Sequence, residues 1–295
     1  MAMRSGGNGE RGWPPAAERL LLGGSLGVMA LTFALAHLQR FAAWIPTLDN
    51  VHWTVTTAVV ALVAVNRWRR STAQERVLFG CLAIAMLLYF AGQFVWDIEF
   101  FLGHTPFPGP PDFLSIQAGL WVVAGFLWYT SRRLRGIAVL AICLDIGMVV
   151  LAALSVTLSL YAPLFTTQTL LTKAILLSFP VTIFAAFGAT LCTTIALRLR
   201  PTLGNLLFHA AMLGNGVAWG AWIYVVMQGE TTGSSIFEYA LYLCSLAAGA
   251  GISLWEVETS TSNRWERVCI EIQRVLPLIM ALVGAAAIVL GRSYA

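Results

Sequence analysis

The chain has 295 residues, of which 58% are hydrophobic and 11% charged, with a mean hydropathy of +0.77. A water-soluble domain carries about 25% charged residues, so a soluble globular protein is excluded, and the absence of a basic stripe or an aromatic stacking platform excludes a nucleic-acid binder. The net charge of +4 matters less than where the charges fall.

The remaining class is an all-α polytopic membrane bundle, because repeated apolar runs of about 20 residues match a hydrocarbon layer of about 30 Å. Residues 1–17 (MAMRSGGNGERGWPPAA) are expected to form a flexible tail ending in an interfacial Trp13 and a proline pair. Nine helices are then predicted near 19–43, 51–68, 75–102, 112–131, 135–162, 169–199, 203–228, 235–256 and 269–291. Of the 18 Lys and Arg residues, all but Arg40, Lys173 and Arg292 fall on one side of this arrangement. The positive-inside rule makes that side cytoplasmic, the N-terminus included, and puts the proline-rich turn at 104–111 outside.

The third and fourth helices are joined by WDIEFFLGHTPFPGPPDFL, Trp96 to Leu114. A weaker copy, WIYVVMQGETTGSSIFEYA, begins 126 positions later at Trp222. Trp96, Gly103 and Asp112 correspond to Trp222, Gly229 and Glu238. The expected organisation is therefore a four-helix repeat, 18–131 and 132–257, followed by a loop and final helix at 258–295. An even number of helices keeps both halves in the same orientation, so the repeat is parallel.

Polar groups within a bilayer need partners. Asp145 and Asn215 both fall about 15 Å along their helices by the α-helical rise and are expected to share a polar core cluster. The corner offers Trp96, Asp97, His104, Asp112 and Glu238 as an outer-face surface. Asp112 and Glu238 stand where a carboxylate caps a helix N-terminus. No metal-ligand spacing, catalytic set or cofactor motif is present. His37 and His209 differ too much in depth to share a haem iron, and the single lysine, Lys173, is near a helix end rather than at the centre of a chromophore pocket. The five cysteines lack CxxC pairing and are expected to pack as small apolar residues. Pro180 and Pro277 are expected to kink the sixth and ninth helices.

Trp96, Asp97, Gly103, Pro106-Phe107-Pro108, Asp112 and Leu114 resemble a pattern in bacterial membrane-anchored signalling proteins. There a multi-helix sensor region precedes a cytoplasmic diguanylate cyclase (GGDEF) domain, sometimes with a phosphodiesterase (EAL) domain. Glu238, Tyr239 and Leu241 are similar to their later helix pair, and Arg274-Val275-Leu276-Pro277-Leu278 to the start of their penultimate helix. Gly109-Pro110-Pro111 replaces their Ser-x-Ala, and the chain stops at Ala295, ahead of their last helix and catalytic domain.

The resemblance implies a non-catalytic input module in a bacterial inner membrane, passing a signal by helix movement to a cytoplasmic output domain, as a homodimer or with other membrane subunits in the bilayer. A structural subunit of a larger complex, or a small-solute transporter, are the alternative expectations.

Overall fold

A computed structural model describes residues 13–38, 43–166, 168–229 and 236–292. These form nine α-helices: α1 Pro15–Ala36, α2 Ile45–Arg70, α3 Arg76–Phe101, α4 Pro110–Ser131, α5 Ile137–Tyr161, α6 Leu170–Ala196, α7 Leu203–Met227, α8 Ile236–Leu254 and α9 Asn263–Arg292. All nine are long and apolar enough to cross a membrane. Among the described residues the β-structure amounts to one isolated bridge, Leu199 to Thr259.

Local chemistry sets the boundaries. Pro15 and Pro46 stand in the first turns of α1 and α2, where a missing N–H costs nothing. Thr169 and Thr202 cap α6 and α7 by accepting the N–H groups of Thr172 and Asn205. Gly103 and Gly229, just after α3 and α7, adopt φ of +69° and +79°. That left-handed backbone lets both helices end in the same turn at matching positions of the two corners.

Four predicted boundaries need correction. The tail ends before residue 17: α1 starts at Pro15, and Trp13 is already anchored, its N–H donating to Asn66 Oδ1 at 2.6 Å. α1 stops at Ala36 rather than 43, and α2 starts at Ile45 rather than 51, because Pro46 begins a helix that apolarity alone does not reveal. α9 starts at Asn263 rather than 269; its first turn (Asn263–Arg267) is polar and amphipathic, so an apolar window misses it.

The helices pack as consecutive neighbours, α1–α2–α3–α4 and α5–α6–α7–α8. The two runs meet crosswise, α2 on α8 and α4 on α6, while α9 lies against α5 and α6. Each run thus offers its second and fourth helices to the other. Exposed Leu278, Leu282, Val289 and Leu290 give α9 an apolar outer side, the surface a lipid-facing helix presents. Cys143 is also exposed, contrary to the expected packing role, because it lies on the outward side of α5.

The arginine-rich end is stitched together by its connectors. Glu18 is fully buried, with Oε1 accepting from Arg70 and Asn66 at 2.5 Å each and Oε2 from the Ser253 hydroxyl. Arg67 donates to the Trp255 carbonyl at 3.1 Å and lies 3.8 Å over the Phe79 ring. The α8–α9 connector is pinned to the α6–α7 turn: Arg200 N–H donates to Glu258 O (2.7 Å), Ser260 N–H to Arg198 O (2.9 Å) and Trp265 Nε1 to Leu199 O (2.9 Å).

Asn205 closes the joint, its Nδ2 donating to Arg200 O at 2.9 Å and Glu256 O at 3.3 Å while 1% exposed. Asn205→Ala takes the side-chain donor from Glu256 O, while Arg200 O keeps the Thr202 N–H, and is expected to lose about 2 kcal/mol of stability. Denaturant titration in mixed micelles measures this, and a loss below about 0.5 kcal/mol, as at an ordinary surface site, contradicts it.

Candidate functional site

At the corner end, α2, α3, α4, α6, α7 and α8 enclose a partly open cavity of about 670 Å3. That is within the range of small-molecule sites, about 300–1,000 Å3. Helical spacing builds its walls. On α3, Tyr89, Gln93, Trp96 and Phe100 fall on one stripe; on α7, Trp219, Trp222, Ile223 and Val226 do the same. Trp53 enters from α2 and Phe179 from α6. Phe179 stacks on Trp219 with ring centroids 4.7 Å apart, and Trp219 meets Trp222 edge-on at 5.3 Å. Three carboxylates also line the cavity: Asp49, Asp112 and Glu238. No Lys, Arg or His does so among the described residues.

Below it lies a smaller pocket of about 50 Å3, room for a few water molecules. Tyr89, Ser115, Phe179 and Trp219 line both spaces, so the two adjoin. The lower pocket is mid-helix and lined mostly by apolar side chains, with a few polar groups among them. Asn215 Oδ1 and Ser245 Oγ are buried there without a hydrogen bond, at exposures of 6% and 5%. The Tyr89 hydroxyl faces both Ser245 and the Trp219 indole N–H, but the three stay outside hydrogen-bond geometry. A polar group buried without a partner costs about 1–3 kcal/mol. Asn215 Oδ1, which has no such neighbour among the described residues, marks a place where water or a ligand completes the hydrogen bonds.

The lining residues pair off at the same 126-position offset as the two corners. Trp53 corresponds to Phe179, Met86 to Met212, Tyr89 to Asn215, Gln93 to Trp219, Trp96 to Trp222 and Asp112 to Glu238, and each pair lines one or both spaces. Ser245 corresponds to Gly119, which lines the lower pocket with it. The cavity therefore lies between the two runs of helices, with positions 126 residues apart in each contributing to it.

Of the predicted corner residues, the structure brings Trp96, Asp112 and Glu238 into the cavity and leaves Asp97 and His104 out of its walls. Asp97 instead accepts from the Thr54 hydroxyl and from Gln93 Nε2 at 2.8 Å, tying α3 to α2. His104 is exposed beyond the end of α3. Asp112 does act as a cap, its Oδ2 accepting the Gly109 N–H at 2.8 Å, with Pro110 and Pro111 opening the helix. Glu238 accepts from Trp222 Nε1 at 3.4 Å, joining α7 to α8.

The expected polar cluster of Asp145 with Asn215 is not formed. Asn215 faces the lower pocket, whereas Asp145 is only half-buried on α5, lines neither space and makes no hydrogen bond to Asn215 among the described residues. Equal depth along two helices does not fix the direction in which either side chain points.

The site residues that sequence reasoning misses are Trp53, Tyr89, Phe179, Trp219 and Ser245. A partial signal exists: Met86 and Trp96 of the α3 stripe recur 126 positions later as Met212 and Trp222, while Tyr89, Gln93 and Phe100 have Asn215, Trp219 and Val226 at that offset. Beside the cavity, His52 is fully buried, its ring 3.9 Å from that of Tyr242. No group of three or more His, Cys, Asp and Glu residues is arranged to hold a metal among the described residues. Comparison with protein-family models, with curated proteins and with solved structures gives no match.

Proposed function

We propose that the chain is a membrane input module of a bacterial signalling protein, with its arginine-rich end in the cytoplasm and the cavity as its receptor site. The observation that carries this reading is the placement of the cavity between two runs of helices that contribute residues 126 positions apart to it. In this reading the two runs descend from one four-helix unit and are related by a two-fold axis along the membrane normal. A ligand filling the space between them changes how one run sits on the other. Small helix shifts of about 1–2 Å are the usual output of such bundles. The shift reaches the arginine-rich end through α7 and α8, where Asn205 at the start of α7 holds the α8–α9 connector at Glu256 O, and the α6–α7 turn is joined to the start of α9 by Trp265 and an Arg198–Glu266 ion pair at 2.5 Å.

The test uses Ser115, which lines both the upper and lower spaces. Ser115→Trp puts a large side chain where the two spaces adjoin, and hydrogen exchange of residues 255–263 in lipid nanodiscs is expected to change at least several-fold. Leu140→Ala, on the exposed side of α5, serves as the control. Equal exchange in both variants and in the parent chain rules out coupling between cavity and connector.

A central cavity between two parallel halves also fits a transporter, in which alternating access rocks one half against the other. Uptake of a cavity-bound solute into proteoliposomes, with loss of uptake in Ser115→Trp, favours that second reading. Binding without uptake favours the input module.

A further inference from the structure

The chemical character of the cavity points to the class of ligand it takes. We propose that it is a receptor site for a hydrophobic organic cation, an ammonium group carried on an aromatic or apolar body. This rests on the reading of the cavity as the input site.

Three independent features agree. First, the upper walls are faces and edges of tryptophan and phenylalanine, with Trp53, Trp96, Trp219 and Trp222 all contributing. An aromatic face attracts a cation through its quadrupole, most strongly for tryptophan, and attracts it more when water is excluded. Second, Asp112 sits among these rings at 7% exposure, with its Oδ2 on the Gly109 N–H and no Lys, Arg or His sharing the described walls. A carboxylate in such surroundings favours a cationic guest and disfavours an anion. Third, the deep end holds Asn215 and Ser245, each more than nine-tenths buried and each with an oxygen that lacks a partner. These oxygens bind a hydroxyl, an amide or water at the far end of the guest.

The deep end also breaks the likeness of the two halves. Asn215 stands at the position equivalent to Tyr89, and Ser245 at that equivalent to Gly119. With the carboxylate above and these oxygens below, a guest lies with its cation toward Asp112, its apolar body along the tryptophans and its far end at Asn215 and Ser245.

The test titrates the full chain in nanodiscs, with empty nanodiscs as the blank, against three probes sharing one body: 4-phenylbutylammonium, 4-phenylbutan-1-ol and 4-phenylbutanoate. The ammonium is expected to bind at least tenfold more tightly than the alcohol, and the carboxylate not at all. Asp112→Asn keeps an acceptor for the Gly109 N–H while removing the charge. It is expected to weaken the ammonium about tenfold and leave the alcohol unchanged, which also serves as the folding control. If the alcohol equals the ammonium and Asp112→Asn changes neither, charge recognition is overturned while the input cavity stands. If no probe binds above the blank, the organic-cation assignment is overturned. The connector response to Ser115→Trp remains an independent measure of the input reading.

Discussion

Arg70→Met is expected to destabilise the chain by about 3 kcal/mol, because it strands the most deeply buried carboxylate of the arginine-rich end. Glu18 has no exposed surface, and Arg70 supplies its only positive partner within 4 Å among the described residues, at 2.5 Å. Asn66 and Ser253 remain after the substitution, but both are neutral. Arg70 itself is 22% exposed, which places the effect at the lower end of the range for breaking a buried pair.

The consequence falls on α1. Its buried residues are Glu18, Ser25, Met29 and Thr32, so the polar contacts of Glu18 and Ser25 hold it against α2 and α8 alongside the apolar packing of Leu22, Met29 and Phe33. Ser25 meets Thr56 hydroxyl to hydroxyl at 3.1 Å, the second such tie. Adding Glu18→Gln to Arg70→Met removes the stranded charge and is expected to recover most of the loss. Denaturant titrations of the two single variants and the double variant form the cycle that measures it. If Arg70→Met changes stability by less than about 0.5 kcal/mol, the buried ion pair does not hold α1.

Gly119→Val is expected to have an effect of similar size, about 3 kcal/mol, through overpacking. Gly119 is where α4 crosses α6: a Cβ there lies 2.6 Å from the Thr182 carbonyl oxygen and 2.8 Å from its carbon. Backbone atoms cannot rotate away as a flexible side chain does, so the helices must separate. Gly119→Ala is expected to cost about 1–2 kcal/mol by the same route. Gly147→Ala is the control; nothing lies within 4 Å of its Cβ position, and it exchanges a poor helix former for a good one. A valine at 119 tolerated as well as alanine at 147 would falsify the close α4–α6 crossing. Gly119 also borders the lower pocket, so the same change links stability to the site.

Much of the cavity wall is encoded in residue spacing, in an offset that extends beyond the two corners. The corner is visible because Trp96, Gly103 and Asp112 recur as Trp222, Gly229 and Glu238. The same offset applied to the α3 stripe leads from Tyr89 and Trp96 to Asn215 and Trp222, the cavity residues of α7. Asp97 and His104 show where that reasoning ends. Both belong to the corner by sequence, yet one turns toward Thr54 on α2 and the other projects beyond its helix. Neighbours along a helix diverge by about 100° per residue, so closeness in sequence does not place two side chains on one wall.

By itself, the sequence determined that this chain is a helical bundle suited to a membrane. Its apolar runs are long enough to span a bilayer, its arginines gather at one end, and glycine and proline mark the turns. Those properties depend on local composition and spacing, which the bilayer and the backbone read directly. Only the tertiary structure decided which polar residues meet. It separated Asp145 from Asn215, buried Glu18 under Arg70, and brought Asn215, Ser245, Tyr89 and Trp219 together beneath an aromatic cavity. The physical reason is that depth follows from counting residues along one helix, whereas a meeting of side chains depends on the rotation and crossing of several helices at once.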